Sequence, residues 1–79
     1  MNAYTIIHNS VNGAEVSIKH ATHIMCEGTP DDAIRQYVGP RWADKIVGYS
    51  TSIDFFYSVL WGDEDGHVNE VRYCVSLTQ

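Results

Sequence analysis

Seventy-nine residues suffice for one domain with one core, and a 44% share of hydrophobic residues separates the chain from disordered sequences. Ten acidic against five basic residues give a formal net charge of −5, which repels phosphate backbones and disfavours direct nucleic-acid binding. No stretch approaches the ~20 apolar residues that span a bilayer, and two cysteines, Cys26 and Cys74, are too few for a disulfide scaffold.

Taken in chain order, Tyr4 to His8 is rich in strand-forming residues, and Asn12-Gly13 is a strong hairpin turn because both tolerate positive φ. Ala14 to Lys19 then alternates, predicting a second strand with Ala14, Val16 and Ile18 inward. Thr29-Pro30-Asp31-Asp32 predicts a helix start: a side-chain cap, a proline suited to the first turn, and two carboxylates at the positive dipole end. Ala33, Ile34, Tyr37 and Val38 repeat at helical spacing, and Gly39-Pro40 stops the helix. Arg41 to Lys45 is expected to add a turn, with Trp42 packed on the core.

The period changes in the second half. Ile46 to Ser50 reads as a strand, Thr51-Ser52 as a bend, and Ile53 to Trp61 as a long strand with Ile53, Phe55, Tyr57, Val59 and Trp61 on one face. Gly62 to Gly66 is a loop, and His67 to Leu77 the last strand, with Val71, Tyr73, Val75 and Leu77 on one face. The expected architecture is a single α+β domain over residues 1–79. It has an antiparallel sheet of four to five strands with one helix on one face, in the order ββαβββ.

Metal and nucleophilic chemistry find little footing. His20, His23 and Cys26 are spaced by three, which on a strand sends neighbouring members to opposite faces. A fourth zinc ligand would have to come from His8, His67 or Cys74. No zinc spacing, phosphate loop or nucleophile elbow is present, so no catalytic residue, metal or cofactor is expected. The Asp63-Glu64-Asp65 loop is not read as a calcium loop, because the alternating ligand spacing is taken to be missing.

The candidate site is a protein interface. Asp63, Glu64 and Asp65 form the densest charge cluster, Trp61 lies beside it, and Phe56 sits on the other face of the same strand. Aromatic residues flanked by charge suit an interface with a basic protein partner. Exposed apolar residues around Phe56 and Leu60 fit either a monomer or a homodimer. Met1 to His8 lacks the basic start of a secretory signal, so a cytoplasmic location with reduced thiols is expected.

Two families share parts of this pattern. From Thr5 to Ala33, a hairpin followed by Cys26-Glu27-Gly28-Thr29-Pro30-Asp31-Asp32-Ala33 resembles HicB-type antitoxins, which would imply neutralisation of a small RNase toxin. No DNA-binding module of that family follows in the second half. Over its whole length, the chain is similar in size, layout and composition to small phage-encoded anti-CRISPR proteins. The corresponding pieces are Tyr4-Thr5-Ile6-Ile7, Ala14 to Lys19, Pro30 to Val38 and Phe55 to Tyr73. That resemblance implies a non-enzymatic inhibitor in a bacterial host cell, binding a Cas subunit of a CRISPR surveillance complex and blocking its DNA-binding surface.

Overall fold

In the computed structural model of the chain, residues 1–50 and 55–78 are described, with Tyr49 and Ser50 described by backbone alone. The elements are β1 (Asn2–Val11), β2 (Ala14–Glu15), β3 (Ala21–Cys26), α1 (Pro30–Val38), α2 (Pro40–Ala43), β4 (Ile46–Ser50), β5 (Phe55–Gly62) and β6 (Val68–Leu77). All strand pairs are antiparallel. The order is β2-β1-β6-β5-β4, and β3 shares the outer edge of β1 with β2.

The opening turn forms as the sequence predicts, with Asn12 at φ 50° and Gly13 at φ 80°. The strand after it does not. Only Ala14 and Glu15 pair, opposite Val11 and Ser10, and Ile18 is 69% exposed rather than inward. The edge goes instead to β3, which pairs with β1 from Asn2↔Cys26 to Ile7↔Ala21. The reason is burial. This register puts Ile24 beside Tyr4 and carries Cys26 into the core beneath α1, whereas Val16 and Ile18 would find no helix above them. Six strands and two short helices therefore replace the expected ββαβββ order. The bend at Thr51-Ser52 and the strand start at Ile53 lie outside the described residues.

The helical segment follows the sequence reading closely. Thr29 and Asp32 form a capping box: Asp32 N–H donates to Thr29 Oγ1 at 3.3 Å, and Thr29 N–H donates to Asp32 Oδ2 at 2.9 Å. The Thr29 backbone and hydroxyl donors hold the Asp32 carboxyl below the usual aspartate range. Gly39, at φ 84°, turns the chain between the helices. Arg35 braces the corner by donating to Asp31 Oδ2 at 2.6 Å and to the Ala43 carbonyl at 2.7 Å. The two helices carry the chain across one face, from β3 at one edge to β4 at the other.

Beneath α1 lie Tyr4, Ile6, Cys26, Tyr57 and Val75, closed from above by Ala33 and Ile34. The register matches the expected shared faces, with Phe55, Tyr57 and Val59 opposite Val75, Tyr73 and Val71, although Phe55 is 40% exposed. The Tyr4 hydroxyl donates to the Gly28 carbonyl at 2.7 Å, tying the central strand to the loop that starts the helix. Gln36 donates to the Met25 carbonyl at 3.1 Å and so covers part of the β3 edge.

Two outcomes follow. Ile34→Ala removes a side chain with no solvent exposure and should cost about 2–5 kcal/mol in urea-monitored unfolding. Because the folded-state pKa of Asp32 is depressed, its contribution is present above the ordinary aspartate range and is lost as pH falls through the folded value. Asp32→Asn should accordingly flatten the acid limb of a melting-temperature profile taken from neutral pH downward.

Candidate protein-binding site

The site forms where the helices stop covering the sheet. Tyr37 and Val38 at the end of α1, with Trp42 from α2, make one wall of a groove of about 570 Å³. Val59 and Trp61 from β5 and Val71 and Tyr73 from β6 make its floor. The lining is entirely aromatic and aliphatic. Alternation along β5 and β6 puts these floor residues on the helix side, and the Gly39 turn swings Trp42 back over them.

Ring contacts hold the groove in shape. Trp42 and Trp61 meet edge-to-face with centroids 5.7 Å apart, and Tyr37 meets Tyr73 in the same way at 5.6 Å. His8 packs on the Tyr73 ring at 5.4 Å. Burial pushes the Tyr73 hydroxyl above the ordinary phenol range, so it stays neutral. The Arg41 guanidinium lies over the Trp42 ring, 5.3 Å from its centroid.

The Trp61 strand runs on into the acidic tip. Asp63 organises this turn: its Oδ1 accepts from the backbone N–H of Asp65 at 3.0 Å and of His67 at 2.9 Å, and its Oδ2 accepts from Asn69 at 3.4 Å. Asp63 N–H donates to the His67 carbonyl at 3.0 Å, and Gly66 supplies the positive φ that closes the turn. Glu64 and Asp65 are left exposed, and neither makes an ion pair among the described residues.

The expected site residues separate into two groups. Trp61, Asp63, Glu64 and Asp65 are continuous along one hairpin end, as the sequence predicts. Phe56 is on the opposite face of β5 from Trp61, half-buried in a cross-strand row with Cys74 and Ile7. It is not among the residues that line the groove. Trp42, expected to pack back onto the core, is half-buried against Trp61 and forms a groove wall. Tyr37, Val38, Val59, Val71 and Tyr73 complete the groove. Their apolar periodicity is visible in the sequence, but it reads there as core.

Metal-ligand geometry is equally specific. His23 and Cys26 point to opposite faces of β3: the exposed His23 ring bonds Thr5 Oγ1 at 3.1 Å, and buried Cys26 Sγ accepts from Gly28 N–H at 3.4 Å. Asp63, Asp65 and His67 do converge, with one potential ligand atom from each lying within 4.8 Å of the others. They alternate along the chain, but His67 offers a nitrogen where calcium takes oxygen ligands, so the calcium-loop pattern stays incomplete. The Asp63 carboxylate is committed to the backbone donors of the turn, so the cluster's evident role is to shape the tip.

No family model, curated protein or solved structure matches the chain. Among the described residues, no helix is long and apolar enough to cross a membrane.

Asp63→Ala should therefore loosen the tip. The loss of the carboxylate that accepts from two backbone N–H groups is expected to cost about 1–3 kcal/mol and to speed amide exchange at Asp65 and His67. Asp63→Asn, which keeps Oδ1, should retain most of the protection. Exchange rates by NMR at these two amides make the comparison.

Proposed function

We propose that this chain is a non-enzymatic inhibitor that acts by docking its groove and acidic tip on a basic protein surface. One observation carries the reading: a rigid hairpin end places exposed Glu64 and Asp65 a few residues from a groove walled by two tryptophans. Aromatic anchors in a preformed groove supply binding energy, whereas exposed charges chiefly set association rate and partner choice. The formal net charge of −5 points the same way, since it repels nucleic acid and attracts the proteins that hold it.

A Cas subunit of a CRISPR surveillance complex is the partner implied by the resemblance to small phage-encoded anti-CRISPR proteins. Such a subunit presents lysines and arginines to DNA, and an acidic protein seated there blocks access without chemistry. The inhibitor then works in the bacterial cytoplasm, needs no cofactor, and touches neither nucleic acid nor membrane.

The test uses Glu64→Lys/Asp65→Lys and spares Asp63, whose carboxylate holds the turn. Affinity for a purified surveillance complex should fall at least tenfold, about 1.4 kcal/mol, while stability shifts by less than about 0.5 kcal/mol. Added salt should weaken the wild-type complex in the same direction. Trp61→Ala should weaken binding with little salt dependence. Unchanged affinity in the double variant removes the acidic tip from the interface. Recovery of a small RNase toxin in place of a Cas complex from host cells favours the HicB-like reading.

A further inference from the structure

We propose that the aromatic groove is an arginine site: it receives the guanidinium of an arginine on the partner's basic surface. The inference rests on the inhibitor reading only in assigning that arginine to a protein. The chemistry of the groove stands by itself.

Two pairs of rings, Trp42 with Trp61 and Tyr37 with Tyr73, line the groove, and no charged side chain does. An apolar ligand and a flat cation both suit such walls, and charge separates them. Glu64 and Asp65 follow Trp61 within four residues, are exposed, and make no ion pair among the described residues. An incoming cation finds ring faces inside and unpaired carboxylates close by. An anion finds no cationic side chain among the lining residues.

Arginine fits better than lysine. A guanidinium is planar, weakly hydrated and stacks on indole faces, while an ammonium is compact and strongly hydrated. The protein already uses this contact internally, with Arg41 lying over Trp42 at 5.3 Å. A volume of about 570 Å³ exceeds one arginine side chain and leaves room for flanking residues.

The experiment titrates the full chain with three capped peptides that carry arginine, citrulline or leucine between glycines. It follows the two indole N–H resonances and the tip amides by NMR. The arginine peptide should shift both indoles and bind at least fivefold more tightly than either twin, with affinity falling as salt rises. Trp61→Leu should abolish that preference. Glu64→Lys/Asp65→Lys, which alters only exposed positions, should weaken the arginine peptide and leave the leucine peptide unchanged. Equal binding of leucine or citrulline overturns the proposal, as does an arginine response confined to the tip amides, or no response to any peptide. The two readings fail separately. Arginine selectivity without capture of a surveillance complex sinks the inhibitor reading alone, and tip-dependent capture with silent indoles sinks the arginine site alone.

Discussion

The fold depends on the pairing of the first strand with the last. β1 and β6 lie side by side in the middle of the sheet, paired from Tyr4↔Leu77 to Val11↔Val71 with a one-residue register shift between His8 and Ser10. At their centre Ile6 opposes Val75, and both are almost wholly buried. Nearly the whole chain must be closed into a loop before this pair forms, which costs entropy that grows slowly with loop length. Apolar burial on both sides of the pair offsets that cost. Every other strand is placed relative to it: β2 and β3 divide the free edge of β1, and β5 carries β4 outward from β6.

That arrangement also creates the groove. Five strands side by side span about 19 Å at a spacing near 4.8 Å, whereas a helix is only about 10 Å across. A helix of nine residues seated over β3, β1 and β6 therefore leaves the Trp61 end of β5 less covered, while Tyr57 and Val59 of the same strand stay buried. The single turn of α2 is too short to cover it, and Trp42 bridges the gap to Trp61 instead. An incompletely roofed sheet is thus the physical origin of the groove, where Tyr and Trp rings take the place that aliphatic side chains hold in a closed core.

The hairpin tip extends the same logic into solvent. Exposed charges contribute little to stability, so Glu64 and Asp65 are free to serve recognition. Asp63 is different, because its carboxylate replaces backbone acceptors that the tight turn cannot supply. Within one acidic run, one residue builds the loop and two face outward. Charge density alone does not separate them.

Local rules legible in the sequence settled much of this protein. The Asn12-Gly13 turn, the Thr29–Asp32 capping box, the stop at Gly39 and the alternation of β5 and β6 each depend on residues close together in the chain, and each forms as read. The position of Trp61 and the acidic tip belongs to the same class. What local pattern did not show was that Ala21 to Cys26, rather than the alternating Ala14 to Lys19, would take most of the edge of β1. Both can form a strand, and only the helix overhead makes burial of Ile24 and Cys26 the better choice. Nor could periodicity separate core from groove, since Tyr37, Trp42, Trp61 and Val71 are apolar in either role. Tertiary structure decided that, because the width of the sheet against the width of one helix determines which apolar residues are roofed and which line the groove.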